Sequence, residues 1–459
     1  MEKNPEAGEQ NPNSARSAVS RRSLLAGIGA AAAAATGIGV ITALSSGQMQ
    51  QQTKPASALP VIREPNEPPR TILTQFQRDH GFRGVGTASG AVDDTVDYVE
   101  GDQSVYFETT GSRVQATISK PSALPVGFDM SGKVFAVLLK ITGGDHLTRL
   151  SLRAGDSAFK SYFQFMIQAS PTLPYQEIFP ENRWSWVTMP WIPDSEGKPA
   201  RENITDLCIA VEDDGTGNRV KIHIQAIAVQ KERPDAFPSG VISIGFDDCW
   251  GSQGRFGTPV LDKYGFQPTI YTIVDEVGRP GRLSLSDLHQ IEDGGGEVAA
   301  HAWTTASHNM GFTRLSAEML DAELRMTRNW LLENSFRGSD LFAYPLGYFN
   351  ADVIKATSKY FKFARTLNNR QEETLPPGEM YTCRAQSSTN TVTLAHLRDR
   401  IDSCKANGTW LNLVFHDITP GIPSASVQIA LSTFQQTIDY IARMDVPVRT
   451  TSEVLRGAV

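Results

Sequence analysis

The run Val241-Ile242-Ser243-Ile244-Gly245 is apolar enough to be a fully buried strand, and it closes on Phe246-Asp247-Asp248. Two adjacent carboxylates at the end of such a strand are costly to desolvate. They persist there mainly beside a cation, usually a metal. Further on, Glu297-Val298-Ala299-Ala300 ends in His301, with His308 shortly after, and Leu411-Asn412-Leu413-Val414-Phe415 ends in His416-Asp417. Three strands that each deliver Asp or His at the same end predict a parallel barrel or open parallel sheet with a metal-dependent site at that end. The sequence between them is helical in pattern. Ser316 is placed to cap a helix with Leu320, Leu324, Thr327 and Leu331 on one face. Ser286–Glu292, stopped by Gly294, forms a shorter helix, Thr393 caps one through Leu394, Leu397 and Ile401, and Thr433–Arg443 supplies another.

The 459 residues suffice for two domains with flanking segments. A net charge of -7, with no basic run beyond the extreme N-terminus, excludes nucleic acid as the expected partner. At that N-terminus a polar lead precedes Ser20-Arg21-Arg22-Ser23-Leu24-Leu25 and an Ala/Gly-rich apolar stretch to Leu44. Residues 1–45 therefore resemble a twin-arginine export signal, either cleaved near Ala43-Leu44-Ser45 or kept as a membrane anchor. The expected location is outside the cytoplasm, secreted or attached to the envelope. Residues 46–91 are expected as linker, Gln/Pro/Ser-rich at first and without apolar periodicity.

From 92 to 232 the signals are those of strands: Val105–Phe107, Val134–Ile141, Tyr162–Ile167, Trp184–Trp191, Ile204–Val211 and Val220–Val229. Turns such as Asp213-Asp214-Gly215-Thr216-Gly217-Asn218 separate them, and a jelly-roll-like β-sandwich is the natural solution. Its Trp184, Trp186 and Trp191, with Tyr162 and Phe163, are as compatible with stacking on sugars as with core packing. Arg233–Gly240 is a hinge by composition, and the α/β part runs from 238 to 459. Cys208, Cys249, Cys383 and Cys404 match no zinc-binding spacing, although Cys383 and Cys404 are candidates to pair in an oxidising compartment. Cys249 is expected as a packed thiol.

The C-terminal part resembles the polysaccharide deacetylases of carbohydrate esterase family 4. The resemblance rests on Gly245-Phe246-Asp247-Asp248, on His301 with His308, on Ala343-Tyr344-Pro345-Leu346-Gly347 and on Val414-Phe415-His416-Asp417, all in the family's order. It implies an irregular (β/α) barrel and metal-assisted removal of acetyl groups, usually N-acetyl, from a polysaccharide. By the same resemblance Asp248, His301 and His308 are the metal ligands and Asp247 is the general base. His416 is the general acid, and the backbone N–H of Leu346 stabilises the oxyanion. Zn2+ suits the ligand set, and Co2+, Mn2+ or Ni2+ fit nearly as well.

Three departures mark this sequence. The family's two metal histidines are usually four residues apart, whereas position 305 is threonine here and the next histidine is His308. On a helix that seven-residue offset spans roughly 10 Å, so Ala302–Ser307 is expected to loop out as a short insertion. Ala343 stands where the family often has an arginine that orients the catalytic aspartate, and Arg365 is the candidate substitute. The family's Asp-Trp motif has no clear counterpart. The sequence thus predicts an exported deacetylase acting on an acetylated envelope or extracellular polysaccharide. The rival expectation is a non-catalytic glycan-binding protein on a degenerate barrel. Both admit membrane attachment through the N-terminal segment.

Overall fold

The computed structural model describes residues 70–85, 92–156, 158–167, 182–189, 191, 195–231, 236–367 and 372–457. The export-signal reading and the first half of the linker fall outside them. In the remaining N-terminal part, antiparallel strands form two six-stranded sheets. One contains β1 (Arg70–Gln75), β3 (Val92–Asp94), β4 (Ser104–Glu108), β6 (Lys133–Thr142), β9 (Ser185–Met189) and β12 (Lys221–Lys231). The other contains β2 (Arg83–Val85), β5 (Ala116–Lys120), β7 (Leu147–Asp156), β8 (Ser161–Ile167), β10 (Ser195–Glu196) and β11 (Asp206–Asp213). Strand alternation explains the shared core. Val137, Leu139 and Ile141 of β6 meet Leu150 and Leu152 of β7 and Ile209 and Val211 of β11 in one cluster.

The linker expected over 46–91 ends sooner, because β1 and β2 already belong to the sheets, β1 pairing antiparallel with Ala226–Gln230 of β12. These strands lack an alternating apolar signal because they are held by backbone pairing and are largely exposed along their length. Of the aromatics, Trp191 is core, whereas Trp184 and Trp186 lie partly exposed against Lys140 and Arg70, cation to ring centroid 5.7 and 4.7 Å.

After residue 236 the chain forms parallel strands alternating with helices. The strands are β13 (Val241–Asp247), β14 (Pro268–Ile273), β15 (Glu297–Ala302), β16 (Gly338–Ala343), β17 (Phe363–Arg365), β18 (Gln386–Ser387) and β19 (Trp410–Phe415). They are arranged β17-β16-β15-β14-β13-β19-β18. A parallel bridge between Arg365 and Cys383, just before β18, joins the two ends of this curled sheet. Its outer residues, among them Ile242, Ile244 and Phe246, pack on helices that include α4 (Ala317–Glu333) and α7 (Leu431–Met444). The inner residues Val241, Tyr271, Ala299, Leu341, Ala343, Phe363 and Trp410 form a separate interior cluster. As the sequence predicts, Ser316 caps α4 by accepting from Met319 N, and Leu320, Leu324, Thr327 and Leu331 are buried. All four cysteines are free and buried, so Cys383 and Cys404 do not pair. The Cys404 thiol donates instead to Thr409 O at 3.2 Å.

Candidate metal centre and catalytic residues

Inward alternation on β13 places Ser243, Gly245 and Asp247 on the barrel interior, so Asp247 emerges at its C-terminal mouth. Asp248 and Cys249 then both take left-handed backbone conformations, φ 69° and 56°. Such conformations cost non-glycine residues about 1–3 kcal/mol each. The turn is held by Asp248 N donating to Tyr271 O (3.1 Å), Arg282 Nη1 donating to Asp248 O (3.0 Å) and Leu283 N donating to Cys249 O (2.8 Å). Trp250 Nε1 lies 3.4 Å from Asp248 Oδ2, and Arg282 stacks 3.6 Å from the Trp250 ring centroid.

His301 stands near the end of β15, and its Nδ1 lies 2.8 Å from Ala343 O. A carbonyl only accepts, so the ring proton sits on Nδ1 and Nε2 presents a lone pair to the mouth. His308 arrives differently from the expected loop. Thr304 caps a six-residue helix, α3 (Thr305–Met310), by accepting from Ser307 N, and the next turn carries His308 back over the site. Because His301 is on a strand and not on that helix, the two-turn separation does not apply. The His308 and His301 Nε2 atoms are 3.1 Å apart, and they lie 3.4 and 3.5 Å from Asp248 Oδ1. Glu323 of α4 fixes the turn before α3, accepting from Trp303 N (2.9 Å), Thr304 N (3.1 Å) and Thr304 Oγ1 (2.7 Å). Thr305 is turned outward onto Asp275, its hydroxyl donating at 2.7 Å.

These residues fit a metal ion. Asp248 Oδ1 is buried with no hydrogen-bond donor among the described residues, and Asn309 Oδ1 at 3.2 Å from His308 Nδ1 favours the proton there, away from the site. Two imidazole lone pairs and a carboxylate oxygen therefore converge, all within 4.8 Å of one another. Without a cation that arrangement is repulsive, and two histidines with one carboxylate form a common catalytic set with open positions. Burial, reinforced by His308, holds the His301 imidazole well below its usual 6.5, so it is neutral and ready to bind metal.

Asp247 lies beside this triad, its Oδ2 at 3.9 Å from His301 Nε2 and 3.8 Å from His416 Nε2. Its Oδ1 accepts from Arg365 Nη2, and Arg365, only 2% exposed, lies over the Tyr271 ring at 4.1 Å. Arg365 and Ala343 are register partners on β17 and β16. The arginine thus reaches the aspartate from the strand next to the position where the sequence resemblance expects one. Gln253 Nε2 ties the two turns together by donating to Asp247 O (2.5 Å) and His416 O (3.2 Å). His416 Nδ1 is buried and has no hydrogen-bond partner among the described residues. Asp417 is instead engaged by Ser252 Oγ (2.7 Å) and Gln428 Nε2 (2.8 Å), which fix the adjoining loop.

Leu346 adopts φ 60° and ψ 6°, followed by Gly347 at φ 76°. Among the described residues no acceptor is found for its N–H. Of these residues, sequence reasoning did not find Gln253, Glu323, Trp250 or Tyr271. Gln253, Glu323 and Tyr271 act through contacts distant in sequence, whereas Trp250 lies only two residues after Asp248 and carries no signal of its own.

Residues 235–361 match the family model of polysaccharide deacetylase. The Bacillus subtilis protein YxkH, a polysaccharide deacetylase by its name, is 26% identical over 119 residues, which cover 26% of this chain and 41% of YxkH. The match therefore spans less than half the length of that relative. A solved family 4 carbohydrate esterase from Streptomyces lividans, in complex with acetate, is 17% identical with a TM-score of 0.33, covering 46% of this chain and 91% of that one. A family 4 pseudoenzyme from Bacillus anthracis is 18% identical, also with a TM-score of 0.33, over 47% of this chain and 66% of that one. The polysaccharide deacetylase match is thus carried by residues 235–361, the first part of the parallel-stranded C-terminal region.

Proposed function

We propose that the chain is an exported, metal-dependent deacetylase that removes acetyl groups, chiefly N-acetyl, from an envelope or extracellular polysaccharide. The observation that carries this reading is the buried convergence of Asp248, His301 and His308 beside Asp247 and His416. A divalent ion held by that triad, with Zn2+ the best fit and Co2+, Mn2+ or Ni2+ as alternatives, supplies Lewis acidity and lowers the pKa of water. The remaining work falls to the chain's own groups. Asp247, oriented by Arg365, takes a proton from the attacking water. The Leu346 N–H donates to the oxyanion that forms as water adds to the acetyl carbonyl. His416 delivers a proton to the departing nitrogen (or oxygen), the bond to the acetyl carbon breaks, and acetate leaves.

The deciding experiment is acetate release from a panel of acetylated glycans. It is run after chelation and again after adding back zinc or cobalt, with His308→Ala beside the parent. Release that metal restores in the parent but not in the variant is the expected result. Absence of release from every substrate, with no metal retained, would favour a glycan-binding protein on a degenerate barrel. Export through the Arg21-Arg22 segment belongs to the same proposal. Replacing both arginines by lysine should hold the protein inside the cell, and unchanged export would remove the twin-arginine route.

A further inference from the structure

The barrel closes between β17 and β19 through residues 372–388. On one side this closing segment is stitched to the strand of Arg365, with Ala364 N donating to Met380 O and Thr366 N to Cys383 O, both at 2.9 Å. On the other side it is stitched to the strand that leads to His416. Glu373 and Trp410 exchange backbone bonds at 2.8 Å, Gln386 and Ser387 pair with Leu413 and Val414, and Ser388 N donates to Val414 O. The segment is folded on the buried Glu373 carboxylate, which accepts from Thr374 N (2.9 Å), Arg384 N (3.0 Å) and Arg384 Nη1 (2.9 Å).

Its outer side is held by the sandwich. Arg384 Nη2 donates to Thr188 O in β9 at 2.9 Å, and the Thr188 and Thr374 hydroxyls are 2.8 Å apart. Gln230 Nε2 of β12 donates to Pro376 O at 3.2 Å. Thr188 alternates with the core residues Val187 and Met189, so it faces outward from the sandwich toward the barrel. Thr188, Gln230 and Thr374 are fully buried between the two bodies. The fit is tight at Gly378, where an added Cβ would lie 2.6 Å from Thr188 Cγ2 and Oγ1. Buried polar groups bonded across such a contact oppose separation, since parting leaves Thr188 Oγ1, Gln230 Nε2 and Arg384 Nη2 to be resolvated or orphaned.

We propose that the β-sandwich is a working part of the hydrolytic site: it clamps the closing segment and thereby sets where β17 holds Arg365 relative to Asp247 and His416, which the paired strands β13 and β19 already keep side by side. Arg384 and Thr188 are then positioning residues that touch no substrate. The proposal rests on the deacetylase reading for its kinetic consequence but not for its structural one. The Asp248–His301–His308 triad is carried by β13, β15 and α3, away from the closing segment, and is expected to be indifferent to the clamp.

The test uses the full chain with Gly378→Val as a wedge and Thr188→Val as a milder second variant that keeps shape but loses the hydroxyl bond. For Gly378→Val, kcat should fall by about a hundredfold, as an ångström of misplacement can cause. KM and bound metal should stay near the parent's, and Thr188→Val should move in the same direction by less. Amide hydrogen exchange read in parallel should quicken at Ala364, Thr366 and Ser388. Unchanged exchange at these amides in Gly378→Val overturns the clamp whatever the activity, as does an unchanged kcat beside an active parent. An inactive parent whose variants still lose protection would sink the deacetylase reading and leave the clamp supported. Should Gly378→Val not fold, Thr188→Val decides by the same readouts.

Discussion

A carboxylate and a guanidinium buried together, as Asp247 and Arg365 are, stabilise each other only while both remain. Removing one strands the other, at about 3–5 kcal/mol for a buried pair. Arg365→Met should therefore lower the melting temperature sharply and, on the proposed mechanism, reduce kcat, because Asp247 is no longer held. The double variant Asp247→Asn/Arg365→Met should recover much of the lost stability while remaining inactive. A double variant no more stable than the single would show that the arginine contributes packing over Tyr271 and not charge compensation. A second residue-scale expectation concerns His223, buried in the sandwich at 3.1 Å from Asp94. Burial pulls its imidazole below the usual 6.5, although Asp94 and Asp97 pull the other way. The unfolded chain then takes up this proton first as the pH falls, so His223 costs stability below about pH 6.5 and nothing well above it. Melting temperatures from pH 7.5 to 5 should fall less steeply in His223→Gln than in the parent, and parallel curves would rule the effect out.

At the scale of elements, the helix that matters most to the candidate metal site is the one least visible in the sequence. The cap and stripe of α4 were legible because Ser316 and four buried residues repeat at helical spacing over seventeen residues. Six residues, Thr305–Met310, are too few to carry such a period, so an insertion in a loop was the natural reading. What makes α3 a helix is a cap at Thr304, a stop at Gly311 (φ 79°) and a turn pinned by Glu323 from another element. Asp248 and His301 are legible because they stand at strand ends, whereas His308 is carried by α3. Arg365 was only a candidate, since β17 is three residues long and its cross-strand relation to Ala343 exists only in the fold. Glu323→Ala should free the Trp303-Thr304 turn and let His308 drift. Metal affinity should fall about 10- to 100-fold, the usual cost of losing a group that supports ligands. Competition against a chelator reads this directly, with Glu323→Gln falling between the two. An affinity equal to the parent's would mean that α3 holds its position without Glu323.

For the whole molecule, the change from strand-only to alternating patterning near residue 236 was readable, because a sheet with two faces and a barrel wrapped in helices demand different periods. How the two parts meet was not, because the contact is made of scattered polar residues (Thr188, Gln230, Thr374, Arg384) with no period of their own. Buried polar contacts of this kind couple the two parts more firmly than a tether would, and they predict that sandwich and barrel melt together. Phe165 is buried in the sandwich core against Phe135 and Trp191, at centroid distances of 5.0 and 4.3 Å. Phe165→Ala should cost about 3–5 kcal/mol through lost burial and the cavity left behind. If the parts are coupled, calorimetry gives one transition, and heat inactivation of acetate release shifts down with it by the same interval. If the barrel stands alone, the variant shows two transitions and stays active above the lower one. The mutated side chain belongs to the sandwich core and not to the barrel, so a shift in inactivation has to be transmitted through the interface that carries Arg384.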